Sequence, residues 1–128
     1  MSNRARSLAL ATLAFILAPT VHAADVPESD DQRLEQQRSA FRDAYPEVER
    51  GNWQAVLPSE DLLADYVLWP DLRAAWFRAR VTTADHGEIE AFLDLHGILK
   101  PARELRYRYA LHLAEEGRLA EYFSIYQQ

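Results

Sequence analysis

The sequence has no cysteine and, among its 128 residues, a single lysine, Lys100. The absence of cysteine excludes a disulfide framework and a lipid anchor on an N-terminal cysteine, so the fold must be held together by packing alone. Basic residues are scarce: subtracting Arg4 and Arg6 of the first 23 residues from fourteen leaves twelve against twenty acidic residues, a formal charge of −8. Because counterion release requires clustered Lys and Arg, this balance argues against a general nucleic-acid binder.

Long apolar runs are scarce as well, and the one that is present, Leu8–Ala18, is too short to span a bilayer. Two arginines precede it, and Val21 and Ala23 place small residues at the −3 and −1 sites of a cleavage signal. A buried N-terminal helix would not account for the basic flank, so we interpret residues 1–23 as a secretory signal peptide cleaved after Ala23. We therefore expect a periplasmic protein with no membrane span.

The sequence has no alternating run bounded by Asn-Gly or Gly-Gly turns, the pattern that predicts a hairpin of strands. Apolar residues recur instead at helical spacing, which predicts an all-α fold. Residues 24–30 are acidic and contain Pro27, so we expect a disordered lead-in in which Ser29 or Asp30 caps the first helix. The predicted helical segments are, in order, about Asp31–Arg50, Trp53–Leu57, a short segment after Ser59, Pro70–Val81, Asp85–Gly97, Pro101–Gly117 and a last one from Leu119.

The stretch Tyr66–Val81 contains the helix that we expect at the centre of the fold. Pro70 suits a first turn, because the N–H at that position has no intrahelical partner to lose. Apolar residues follow at i, i+3, i+4 and i+7 and extend over much of the circumference, which is typical of a helix packed between neighbours. The predicted buried face consists of Leu72, Ala75, Trp76 and Ala79.

Two further prolines affect the neighbouring helices. Pro46 lies inside the first predicted helix and is expected to kink or break it near Tyr45. Pro101 opens a helix in which further apolar residues, Tyr107 and Leu111 among them, surround the core-facing stripe. We therefore predict that this helix, too, is sandwiched between neighbours.

A nine-residue pattern occurs twice, as ERGNWQAVL at 49–57 and as EEGRLAEYF at 115–123. Each copy joins a helix to a short amphipathic helix through a glycine, which is the unit from which α-solenoids are stacked. The repeat favours stacked helical hairpins over a closed bundle. Because the last residues, 122–128, carry three aromatic side chains without a polar cap, we expect another hairpin to follow, and low stability or self-association without it.

Groups that could perform chemistry do not fall into a catalytic pattern. Glu88 and Glu90 precede apolar helix positions, where a solvated face is the simplest interpretation. His86 and Glu90 are four residues apart and could contact one zinc ion, but His96 is more than two turns away and a second close pair is lacking. His112 is interpreted as a hydrogen-bonded histidine of the core.

Aromatic side chains leave two interpretations open. They could line a carbohydrate groove, or they could pack in the core, and their helical spacing favours the core. The residues concerned are Trp53, Trp69, Trp76, Tyr107 and Tyr109.

The only basic cluster is formed by Arg103, Arg106 and Arg108. These arginines could form salt bridges with Glu104 and other acidic neighbours, or they could face an anionic polymer. Of the two, the salt bridges are the favoured prediction.

Two proline-headed motifs occur in order along the chain, Tyr-x-Leu-x-Pro-x-Leu and then Pro-Ala-Arg-x-Leu, with the apolar helix IEAFLDLHG at 89–97 between them. In this order, over about residues 31–126, they resemble the N-terminal region of the soluble lytic murein transglycosylases. The matching residues are Tyr66, Leu68, Pro70 and Leu72, followed by Pro101, Ala102, Arg103 and Leu105.

The resemblance implies a U-shaped α-superhelix, which in that family carries a separate lysozyme-like domain. That domain cleaves the MurNAc–GlcNAc bond of peptidoglycan with one glutamate and yields 1,6-anhydromuropeptides without a metal. The present sequence ends before such a domain and has no Glu-Ser motif followed by the glycine-rich signature of that domain, so it supplies no catalytic residue, no cofactor-binding residue and no metal ligand. We expect residues 31–128 to be an inactive superhelical fragment.

The partners implied by the resemblance are the glycan strands of peptidoglycan, reached through the parent enzyme, and cell-wall proteins. The alternative is an independent periplasmic module that binds proteins in the manner of tetratricopeptide repeats. A small independent enzyme would rest only on carboxylates to which no role can be assigned.

Overall fold

A computed structural model describes residues 29–126. Within this part the chain is entirely helical and has no strand, which confirms the all-α fold class. The predicted signal peptide, residues 1–23, lies outside the described residues, and so does most of the lead-in. The helices are α1 (Asp30–Glu49), α2 (Glu60–Leu63), α3 (Trp69–Ala79), α4 (His86–His96), α5 (Lys100–Glu115) and α6 (Leu119–Tyr126), with 3-10 turns at Trp53–Ala55 and Leu57–Ser59 between α1 and α2.

Helix α1 begins where the sequence predicts and continues past the expected break. The Ser29 hydroxyl accepts a hydrogen bond from the Gln32 amide, and the Gln32 side chain accepts one from the Ser29 amide, which completes a capping box. The helix remains unbroken through Pro46, so the predicted break is wrong. Both Pro46 and Arg42, whose carbonyl loses its N–H partner, are exposed, and water can satisfy that carbonyl at little cost.

Two glycines end helices by the same mechanism, as the repeat predicts. Gly51 and Gly117 have φ values of +82° and +70°, a backbone conformation that residues with a Cβ rarely adopt. In each turn the glycine amide donates to the carbonyl three residues back, at 2.9 and 3.1 Å. The next amide donates to the carbonyl five residues back, at 2.9 Å in both, which is a Schellman motif. The segments that follow differ, a 3-10 turn in the first copy and α6 in the second.

Helix α3 lies between α1 and α5, which confirms that it is central. Pro70 occupies its first turn, as expected. Because neighbours cover both sides of α3, its buried residues form two sets and not the single face that was predicted. Leu72 and Ala75 pack towards α1, and Ala74 and Phe77 pack towards α5. Trp76 packs against both sets and is itself half-buried, and the predicted burial of Ala79 in the last turn is wrong.

Two hydrophobic cores result, one on each side of α3. The first joins α1, α2 and α3, and the second joins α3, α4, α5 and α6. The largest fully buried side chains of the second core are Phe77, Ile89, Leu93, Leu105, Tyr109, Leu113 and Ile125.

The one polar residue buried within residues 29–126, Gln37, connects α1 to the chain before α3. Its amide nitrogen donates to the Leu62 carbonyl at 2.9 Å and to the Asp65 carboxylate at 2.8 Å. Asp65 also accepts from Arg33 at 2.9 Å. The buried amide is therefore satisfied, as a polar group away from water must be.

Within residues 29–126, helix α5 has neighbours around part of its circumference and leaves one side uncovered. It packs against α3, α4 and α6, but Tyr107 remains 68% exposed and Leu111 47% exposed. The prediction that α5 is sandwiched over most of its circumference is therefore wrong for this side. Within residues 29–126, no helix is long and apolar enough to cross a membrane.

Candidate functional site

The polar cluster, which we define as His86, Glu90, Tyr109, Arg118 and Glu121, connects α4, α5 and α6. The Tyr109 hydroxyl and His86 Nδ1 share a hydrogen bond of 2.9 Å, and His86 Nε2 lies 4.0 Å from Glu90. Arg118 forms a bidentate ion pair with Glu121. The imidazole tautomer decides which group donates in the Tyr109–His86 hydrogen bond, since a hydroxyl can both donate and accept.

Electrostatics within the polar cluster favour a neutral tyrosine beside a charged pair. Burial raises the pKa of the Tyr109 hydroxyl, while the positive charge of Arg118 opposes that shift and Glu121 adds to it. The hydrogen bond from Arg118 lowers the pKa of Glu121, and the same bond raises the pKa of Arg118. At neutral pH the cluster therefore holds a neutral Tyr109 hydroxyl beside the ion pair of Arg118 and Glu121.

The predicted chemistry of the histidines is only partly realised. His86 and Glu90 do share a face of α4, but His96 lies at the other end of that helix, where it packs on Phe92 at 4.9 Å. Among the described residues no group of three or more potential ligands could hold a metal ion. His112 is half-buried and lies alongside the Tyr109 ring. The histidine that forms a hydrogen bond with a core residue is His86, which is itself half-buried and bonds Tyr109.

The arginines of α5 do not pair as predicted. Glu104 instead lies 3.7 Å from Arg78 and 3.7 Å from Lys100. Within residues 29–126 no carboxylate forms an ion pair with Arg103, Arg106 or Arg108, so the favoured prediction of salt bridges with Glu104 is wrong. The reason is the rotation of α5, which turns Glu104 towards α3 and the first two of these arginines towards α6.

An open groove lies on the uncovered side of α5, against α6. Its volume is about 360 Å³, and its surface is mostly apolar. Tyr122 and Tyr126 of α6 stack with their ring centroids 5.5 Å apart. We call this surface the α5–α6 groove, and it is lined by Arg103, Arg106, Tyr107, Ala110, Leu111, Tyr122 and Tyr126.

A second cavity, of about 410 Å³, adjoins the groove at the end of α4. Arg106 lines both, and the exposed side chains of Leu95 and Ile98 line the second. Arg106 passes so close to Gly97 that a Cβ there would lie 2.7 Å from its guanidinium Nη2 and 2.6 Å from the Leu93 carbonyl. Glycine is therefore required at 97 for steric reasons, because a Cβ would clash with the Leu93 carbonyl and with Arg106. Its backbone conformation is not the reason, since its φ is negative and any residue could adopt it.

The aromatic residues divide between core and groove. Trp53 packs against Trp69 at 5.7 Å and against Trp76 at 5.5 Å, and all three are half-buried. Tyr109 is fully buried, which agrees with core packing. Tyr107 alone of the five predicted candidates lines the open groove. The tyrosines at 122 and 126, four residues apart on α6, are the signal that could have identified the groove from the sequence.

No protein-family model, curated protein or solved structure matches this chain. A functional assignment therefore depends on the chemistry of the α5–α6 groove and on the resemblance carried by the two proline-headed motifs.

Proposed function

We propose that this protein is a helical scaffold segment of the cell envelope, of the type found at the N-terminus of soluble lytic murein transglycosylases, and that it docks a further helical element on the α5–α6 groove. On this proposal the chain itself performs no peptidoglycan cleavage. The cleaving activity, which forms 1,6-anhydromuropeptides from the MurNAc–GlcNAc bond, belongs to the parent enzyme type. Export to the periplasm, with cleavage after Ala23, is part of the proposal.

The packing order of the helices supports the stacking part of the proposal. Helix α1 contacts α3, α3 contacts α5, and α5 contacts α6, so each layer follows the previous one in chain order. The two helices that carry the proline-headed motifs, α3 and α5, are direct neighbours in this row. Two Schellman turns of the same geometry recur within it. Such a succession is what an α-superhelix requires, because each unit buries its apolar faces only against the next.

The α5–α6 groove is the observation that carries the docking function. Of the eight residues of α6 only Ile125 is fully buried, while Phe123 and Tyr126 are more than half exposed. Tyr126 lines the groove, and exposed apolar surface rimmed by polar residues is a feature of protein-binding sites. In a stack of helical pairs it is the surface on which the next pair packs.

An independent periplasmic interaction module is the second candidate. The observation that favours it is the pair of arginines beside the groove, Arg103 and Arg106, which have no carboxylate partner among the described residues. The missing carboxylates could come from a separate partner protein just as they could from a further unit of the same stack.

The cell-wall part of the proposal is tested with purified mature protein and peptidoglycan sacculi. We expect the protein to co-sediment with sacculi and to release no 1,6-anhydromuropeptides. Release of these products would show that the chain is an enzyme. Failure to co-sediment would exclude direct glycan contact and favour the independent module. N-terminal sequencing of protein recovered from the periplasm should begin at Ala24; an intact N-terminus would contradict the cleavage, and absence of the protein from the periplasm would contradict export.

A further inference from the structure

We infer that the occupant of the α5–α6 groove is an amphipathic helix whose apolar face is flanked by carboxylates. The inference rests on the docking function proposed above and specifies the chemistry of the docked element. It is carried by two properties of the groove, its apolar lining and the sign of its charged residues.

The shape of the groove fits a helix. Its two walls are the helices α5 and α6, which contribute Tyr107 and Leu111 from one side and Tyr122 and Tyr126 from the other. Each pair is four residues apart, so the exposed side chains recur at about one helical turn, roughly 6 Å along the axis. An incoming helix presents apolar side chains at the same interval, which is the basis of helix-in-groove recognition.

The charges of the groove fit a partner with carboxylates. The described part of the chain has an excess of acidic residues, yet the only charged residues that line the groove are Arg103 and Arg106. The nearest acidic residue in sequence, Glu104, is already paired with Arg78 and Lys100. Two guanidinium groups next to an apolar surface would form short charge-assisted hydrogen bonds with carboxylates at the edge of a docked helix.

Arg106 is the stronger anchor of the two. Its Nε is buried and has no hydrogen-bond partner within residues 29–126. The guanidinium as a whole has no ion pair within the same residues, so a carboxylate that reaches one of its other nitrogens adds a charge-assisted hydrogen bond without breaking an existing one. Arg103 is exposed, and its contribution should be smaller and more sensitive to salt.

A second copy of this chain is a poorer occupant than an acidic helix. In a two-fold dimer the same surface faces itself, so the arginines of one groove would lie near those of the other. Within residues 29–126 no carboxylate lines the groove, and the repulsion would therefore be uncompensated.

The test uses three labelled helical peptides of about 18 residues, a length at which an amphipathic helix becomes stable enough to study. They share leucines at i, i+3, i+4 and i+7, and the flanking positions are Glu in one peptide, Gln in the second and Lys in the third. Binding to the purified protein is measured by fluorescence anisotropy at two salt concentrations. We expect the Glu peptide to bind about tenfold more tightly than the Gln peptide, with the Lys peptide weaker still, and the difference to shrink as salt rises.

Protein variants assign the effect to the groove arginines. Arg106→Gln should lower affinity for the Glu peptide about tenfold and Arg103→Gln about threefold, with little change for the Gln peptide. The matched control is Arg108→Gln, an exposed arginine on the same helix that lines another, smaller cavity. If Arg106→Gln does not fold, as judged by its helical circular dichroism, the exposed Arg103 variant carries the test. Equal binding of the Glu and Gln peptides, or an equal loss in Arg108→Gln, would overturn the charge inference.

A second pair of variants tests the docking function separately. Leu111→Gln lies in the groove, whereas Leu57→Gln changes a leucine of the same exposure, 47%, elsewhere on the chain. Suppose that Leu111→Gln, but not Leu57→Gln, weakens the binding of every peptide, and that the Glu and Gln peptides bind equally well. The groove is then a docking site, and the charge inference fails. If no peptide binds, or both leucine variants behave alike, docking itself fails. A dimer in sedimentation that Leu111→Gln dissociates would identify a second copy as the occupant and overturn the inference.

Discussion

Replacement of Phe77 by alanine tests whether α3 is the centre of the fold. Phe77 is 1% exposed, and its ring lies 5.5 Å from the ring of Phe92 across the second core. Removal of a fully buried phenylalanine side chain costs about 3–5 kcal/mol, the sum of lost transfer free energy and an unfilled cavity. A chain of this size has a free energy of unfolding of roughly 5–15 kcal/mol, so Phe77→Ala should remove about a fifth of it or more.

The assay is urea unfolding followed by circular dichroism, and the matched control is Phe123→Ala. Phe123 is 51% exposed at the edge of α6, so the same substitution should cost about 1 kcal/mol or less there. A similar loss for both variants would refute the assignment of Phe77 to the core and of α6 to an open surface. A change in the slope of the unfolding curve would mean that the denatured state had changed, and thermal unfolding of both variants would then decide.

Three further changes test the polar cluster and the glycine turns. Tyr109→Phe removes the buried hydroxyl that bonds His86, and it should cost about 1–2 kcal/mol in urea unfolding, whereas no loss would show that the bond is not formed. Because the pKa of Glu121 is lowered, the stability that it contributes is present above its ordinary pKa of 4.5 and is lost as pH falls through the lowered value. Glu121→Gln should therefore reduce the fall in the free energy of unfolding at acid pH. An unchanged fall would contradict the ion pair with Arg118. The pKa of Tyr109 is raised, so its contribution is present below pH 10 and lost as pH rises through the raised value, a loss that Tyr109→Phe should abolish. Gly117→Ala should cost about 1–2 kcal/mol through its positive φ alone, since nothing lies within 4 Å of an added Cβ; an unchanged midpoint would contradict the Schellman turn.

Several elements could be predicted because their signals are local. Pro70 and Pro101 lie in the first turns of α3 and α5, and Gly51 ends α1. Asp85 caps α4 by accepting a hydrogen bond from the Glu88 amide at 3.1 Å. Each of these effects acts over five residues or fewer, so the sequence contains all the information that it needs.

The candidate site was harder to predict because it depends on which sides of helices are covered. Tyr107 and Tyr109 have the same chemistry and lie two residues apart, yet one is exposed in the groove and the other is fully buried in the polar cluster. Local pattern cannot separate them, since α5 is apolar around most of its circumference. The partner of Glu104 was missed for the same reason, because Arg78 comes from α3, twenty-six residues earlier.

The sequence by itself determined that this protein is all-helical, where its helices begin at proline and end at glycine, and that its stretch around Pro70 is central. Only the tertiary structure decided that Pro46 is tolerated within α1. It also decided that, among residues 29–126, Arg103 and Arg106 have no carboxylate partner and the apolar groove between α5 and α6 is open. The physical reason is the separation along the chain of the residues that interact. Capping and backbone conformation depend on neighbours along the chain, whereas burial and charge pairing depend on the relative rotation of helices that meet only after folding.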